Sequence, residues 1–179
     1  MDVGEAALFQ SICADFEDIM PDDLHATFSA LLGTEYLQET KLPFCYRHVR
    51  GIVWGASLRP IISLHVQITD SILTLSGTRQ PIHVHFLYLA ASPQTYLSDE
   101  ALRVLGIEDV VIVGETNDAS TAESIPLPLK INGCTLLVAR SPSGSHFSHL
   151  NILGQDFVRS TGASIFFGGE IPRFEISFP

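Results

Sequence analysis

The chain has 179 residues, of which 46% are hydrophobic and 17% charged, and it carries a formal net charge of −10. That is enough apolar material for one buried core with an appendage, and too little charge for a disordered chain. The negative charge and the lack of a basic run interleaved with aromatics argue against a nucleic-acid partner. No apolar run approaches the roughly 20 residues that a membrane helix needs, and no basic region precedes an apolar stretch at the N-terminus. The expectation is an intracellular, cytoplasmic chain with no membrane partner. Cys13, Cys45 and Cys134 are widely spaced and odd in number, which fits reduced, buried thiols better than a disulfide framework.

The charge is unevenly spread. Residues 1–40 hold nine acidic side chains and no Lys or Arg, whereas residues 41–179 hold eleven acidic and ten basic ones. Lys41, Arg47, Arg50 and Arg59 follow the acidic segment with no carboxylate among them, so the segment either packs on a basic neighbour or the two faces are solvated separately.

In chain order, Leu8, Phe9, Ile12, Cys13, Phe16, Ile19 and Met20 recur at helical spacing and predict an amphipathic helix over Glu5–Met20. Pro21-Asp22-Asp23 stops it and starts a second helix, carrying Leu24, Phe28, Leu31 and Leu32 and ending at Gly33. Residues 1–40 thus read as an acidic helical extension, with packing on the chain's own β domain as the simplest use of its apolar faces. Residues 41–60, broken by Gly51, Gly55 and Pro60, read as a linker contributing an edge strand.

From Ile61 the pattern becomes β. Ile61–Ile68 alternates, Ile72–Leu75 is a short run, Ser76–Gln80 a turn and Ile82–Leu87 a strand. Ser98 or Asp99 caps a short helix that stops at Gly106. Val110–Val113 is β-branched, and residues 114–124 are polar. Ile125–Val138 reads as two strands around Asn132-Gly133, the strongest hairpin signal in the chain. Gly162–Phe167 and Arg173–Pro179 supply two further strands.

Other chemistry was weighed. His83 and His85 share a strand face, and His146 and His149 lie in a Ser/Gly-rich loop, but no Cys or carboxylate completes a zinc set, so no metal or cofactor is expected. No Gly-x-Ser-x-Gly nucleophile elbow occurs.

Two stretches carry a family resemblance. Phe86-Leu87-Tyr88-Leu89-Ala90-Ala91-Ser92 leads into Tyr96-Leu97-Ser98-Asp99-Glu100-Ala101-Leu102-Arg103-Val104-Leu105-Gly106, and Leu150-Asn151-Ile152-Leu153-Gly154-Gln155-Asp156-Phe157-Val158 follows, Ile152 lying 63 residues after Leu89. In order and spacing these resemble the active-site turn and the later crossing strand of retropepsin-like aspartic proteases of retroviruses and retrotransposons. The resemblance covers residues 61–179. It implies a mainly β, closed-barrel acid-protease fold and a symmetric homodimer joined by a C-terminal strand, here Phe174, Ile176 and Phe178. It also implies a binding cleft formed by Leu87, Leu89, Ala91, Val113, Gly114, Ile152 and Leu153, with a flap at 110–124.

Leu89-Ala90-Ala91 stands where the family has Asp-Thr/Ser-Gly, so no catalytic residue is intact in the turn Leu89, Ala90, Ala91, Ser92. Leu89 can neither share a proton with its mate nor activate water. Ala90 lacks the bracing hydroxyl, and Ala91 the freedom of Gly. The implied function is that of an inactive pseudoprotease homodimer of retrotransposon descent, serving dimerisation or binding a peptide or protein. The alternative is an aspartic endopeptidase of the same type, altered in its turn for study.

Overall fold

The structure is a computed structural model that describes residues 19–40, 47–70, 80–107, 126–142, 145, 147–168 and 173–179. The sequence expectations for residues 5–18, 72–79 and 110–125, including the flap, lie outside these residues.

The architecture is mainly β and follows from strands with two apolar faces. In β2 (Arg59–Ile68) and β3 (Ile82–Tyr88), Ile62, Leu64 and Val66 stand opposite Phe86, Val84 and Ile82, and all six are fully buried. These side chains point into a barrel. Ile61, Ser63 and His65 stand opposite Leu87, His85 and His83 on the other face, which is also largely buried. Both faces being covered explains the nearly continuous apolar run.

The barrel comprises six strands. β4 (Tyr96–Leu97), β5 (Leu127–Ile131), β6 (Cys134–Arg140) and β7 (Asn151–Leu153) complete the ring β3-β7-β4-β6-β5-β2, which the β2–β3 pairing closes. β5 and β6 form the expected hairpin. Asn132 and Gly133 take φ of 48° and 84°, left-handed at both central positions as a tight two-residue turn demands.

The outer face of β2 and β3 is covered by residues 19–40, as the simplest reading of the extension required. A π-helical turn, Asp23–Thr27, runs into α1 (Phe28–Leu32), which Gly33 ends in the left-handed region. Leu24, Phe28 and Tyr36 belong to the buried core, and the Phe28 ring meets Trp54 edge-on at 5.4 Å. The chain then adds itself to β3, the Leu37 amide donating to His83 O and the His83 amide to Gln38 O.

β1 (His48–Trp54), β9 (Arg173–Ser177) and β8 (Ser164–Gly168) extend the sheet beyond β2 in that order. Two expectations are corrected here. β1 is not an edge strand, because β2 and β9 flank it on both sides. Its Gly51, which looked like a strand breaker, is the point of closest approach, since a methyl group there would collide with the Phe174 ring and the Ile61 carbonyl. Nor is β9 open to interleave with a mate. It lies between β1 and β8 of its own chain, with Phe174 and Ile176 in the core and Phe178 edge-on to Phe157 at 5.9 Å. Among the described residues the outer edge of the sheet belongs to β8, where Phe166 and Phe167 are 59% and 60% exposed.

Replacing Gly51 by Ala should cost about 1–3 kcal/mol, the range for overpacking a tight site. Gly168, whose added methyl meets nothing within 4 Å, should accept Ala within about 0.5 kcal/mol. Urea unfolding of the two variants measures both effects.

Candidate functional site

The turn that the sequence singled out sits at the end of β3, beside the three-residue strand β7. β7 runs parallel to β3, with Leu87 opposite Ile152, and antiparallel to β4, with Tyr96 opposite Ile152. The Leu89 amide donates to Leu153 O at 3.1 Å, and the Ser92 amide closes the turn onto Leu89 O at 2.9 Å. None of residues 89–92 has positive φ, so Ala91 occupies its place without strain. Leu89 is half-buried against the core, and Ala90 and Ala91 are exposed.

Beneath the turn lies a polar clasp. The Asp156 carboxylate accepts from the Thr95 amide at 2.9 Å, from the Thr95 hydroxyl at 2.7 Å and from the Phe157 amide at 2.8 Å. The Thr95 Oγ1 in turn accepts from the Gly154 amide at 3.1 Å, and the Gln155 amide donates to Ser92 O at 2.9 Å. Gly154 is required because the Gln94 backbone passes where a Cβ would stand. The clasp fixes the turn to the start of α3 (Gln155–Thr161).

A second buried link lies nearby. Asn151, 1% exposed, accepts from the Ser98 amide at 2.9 Å, and its amide group donates to the Tyr36 hydroxyl oxygen at 2.8 Å and to the His85 carbonyl at 3.1 Å. Ser98 caps α2 (Asp99–Val104) by accepting from the Ala101 amide, and Gly106 turns the chain away at φ 74°. Burial pushes the Tyr36 hydroxyl up to about 12. The phenol therefore stays protonated and available to Asn151.

Of the cleft candidates, the structure brings Leu87, Leu89, Ile152 and Leu153 together around the turn. Leu87, Ile152 and Leu153 are buried below it, so Leu89 and Ala91 are the ones that reach the surface of a single chain. Val113 and Gly114 lie outside the described residues. Thr95 and Asp156 were not singled out as site residues in the sequence, where Thr95 stands before β4 and Asp156 in the first turn of α3.

The histidines divide. His149 Nε2 donates to Ile19 O at 2.8 Å, far from a shared set with His83 and His85. His65 and His83 meet edge-on at 4.4 Å, while His85 lies 3.2 Å from the Ser29 hydroxyl and beside the Tyr36 ring. Burial, helped by the neighbouring imidazoles, pushes His83 and His85 down to about 4 from the ordinary 6.5. Among the described residues no three His, Cys, Asp or Glu side chains are grouped to hold a metal ion. None of their helices is long and apolar enough to cross a membrane.

Scans against protein-family models, curated proteins and solved structures each returned no match.

Two measurements follow from this geometry. Asp156→Ala removes the acceptor of three hydrogen bonds and should cost about 3 kcal/mol, with Asp156→Asn costing less, in chemical denaturation at neutral pH. In the unfolded chain, His83 and His85 take up protons near pH 6.5, but in the fold only near 4. Stability should therefore be full above about pH 6.5 and fall as the pH drops below it, because the unfolded state binds more protons. A His83→Gln/His85→Gln variant should show a flatter slope between about pH 6.5 and 5, whatever its absolute stability.

Proposed function

We propose that the chain is a retropepsin-like module that has lost its catalytic carboxylate and serves to dimerise or to bind a peptide or protein. The observation that carries the reading is the path of β7. A three-residue strand passes between the strand that delivers the turn and the one that leaves it, and it enters a helix whose first residues clasp that turn. A crossing strand that feeds a short helix beneath the turn is what the resemblance implies, and this path supports the reading.

The chemistry agrees with non-enzymatic use. The turn offers Leu89, Ala90 and Ala91 in place of an acid–base pair, and Asp156, the nearest carboxylate of the clasp, is committed to structural donors. Two turns with apolar tips would meet without the desolvation cost of facing carboxylates, which favours assembly over hydrolysis. The open edge of β8, with its exposed Phe166 and Phe167, is where a second copy's sheet would continue by strand pairing.

Light scattering of the full chain across a wide concentration range should give the mass of a dimer, and a monomer at every concentration would overturn the assembly that the cleft needs. The unaltered chain should leave a peptide library uncut. Cleavage blocked by a statine-type transition-state mimic would overturn the inactive reading.

A further inference from the structure

Among the described residues, the helical layer on the outer face of the sheet ends with α1, which packs over β2 and β1. On β1, β9 and β8 the same face continues through Arg50, Ile52, Arg173, Glu175 and Phe166, as their pairings require. A groove of about 360 Å³ runs between Leu31 and Leu32 of α1 and the β1 backbone, with Arg50 and Arg173 on its floor. A second depression of about 310 Å³ leads from those two arginines to Phe166. Leu31, at one side, is 54% exposed. The spacing of this slot is that of a helix. Neighbouring strands lie about 4.8 Å apart and packed helices about 8–10 Å, so the next helix beside α1 belongs two strands on, over β9. The five residues of β9 span about 17 Å, which about three helical turns match.

Charge says what kind of helix fits. Glu175, the carboxylate of this floor, accepts from His48 at 3.1 Å and lies 3.8 Å from Arg50 Nε. Arg173 has no ion-pair partner among the described residues. Beside it Gly168 offers no side chain, and a methyl group there would meet nothing within 4 Å, so the approach to the Arg173 guanidinium is clear. Two guanidinium groups against one carboxylate make the floor locally positive in a chain of net charge −10. We propose that the slot takes an amphipathic, acidic helix of a partner protein. Its apolar stripe rests on Leu31, Ile52 and Phe166, and its carboxylates meet Arg50 and Arg173. The described helices of a second copy do not supply this chemistry. α1 has no acidic residue, Asp99 and Glu100 of α2 are paired with Arg140 and His25, and Asp156 of α3 is held in the clasp. The inference uses the face of the sheet, not the β8 edge, and does not depend on the reading of the Leu89 turn.

The test selects a displayed library of helices of about 14 residues on the full chain. Their apolar stripe is fixed, and the positions flanking it are randomised among Glu, Lys and Gln. Enrichment of Glu at those positions is expected. A chain of net charge −10 draws basic helices by its overall field, so a preference for Glu reports the local floor. Enrichment of Lys, no preference, or no helix binding more tightly than about 0.1 mM overturns the proposal. For a selected helix, Arg50→Gln/Arg173→Gln should weaken binding at least about tenfold, and unchanged affinity in that variant overturns it. NMR titration of the parent chain gives a reading that needs no variant. The amides of Leu31, Ile52 and Arg173 should shift as the helix is added. Shifts confined to the Leu89 turn, or to residues away from the groove, would assign the helix to another site and overturn the proposal.

Discussion

A strand of three residues, Asn151–Leu153, closes the barrel, and its backbone alone is too short to hold it there. Its hold comes from the side chains at its two ends. Asn151 spends its amide on three elements at once, the cap of α2, the β3 backbone and Tyr36 of the extension. At the far end Gly154 lets the Gln94 backbone pass close, and Asp156 clasps Thr95. Buried polar groups of this kind are costly unless every member is satisfied, and satisfied they specify one register. If β7 shifted by one residue, Asn151 would lose its partners and Leu153 its place in the core.

This constraint ties the turn to the extension. Residues 19–40 sit on the side of β2 and β3 that the barrel does not fill, and Tyr36 reaches through to Asn151. Residues 19–40 of the acidic extension are therefore part of the same buried core as the β domain. Their removal would uncover His85 and Trp54 and leave the Asn151 amide without its Tyr36 acceptor. Burial on that face keeps the His83 and His85 imidazoles neutral well below their ordinary range.

Much of this was legible from local signals. The Asn132-Gly133 turn, the Ser98 cap, the Gly33 and Gly106 stops and the alternation of Ile61–Ile68 depend on neighbours a few residues away, and the structure places each where the sequence put it. The turn at Leu89–Ser92 was legible from the small residues that follow the apolar run of β3. What failed were the statements that depend on a distant partner. Gly51 looked like a breaker because its reason, the Phe174 ring, is far along the chain. The C-terminal strand looked free because nothing in its own residues shows that β1 and β8 claim its two edges. The Thr95–Asp156 clasp was missed for the same reason, since a polar pair across 61 residues leaves no periodicity.

The pairing of β1 with β9 also bears on how the chain comes into being. His48 and Glu175 stand 127 positions apart, yet they meet in adjacent strands. A chain made from its N-terminus displays β1 before residues 173–177 exist, and those residues must arrive before β9 can cover that edge. Contacts of such separation slow folding and leave sticky edges exposed in the meantime. A ribosome that stalls before residue 173 leaves behind a product whose β1 edge is without its β9 partner.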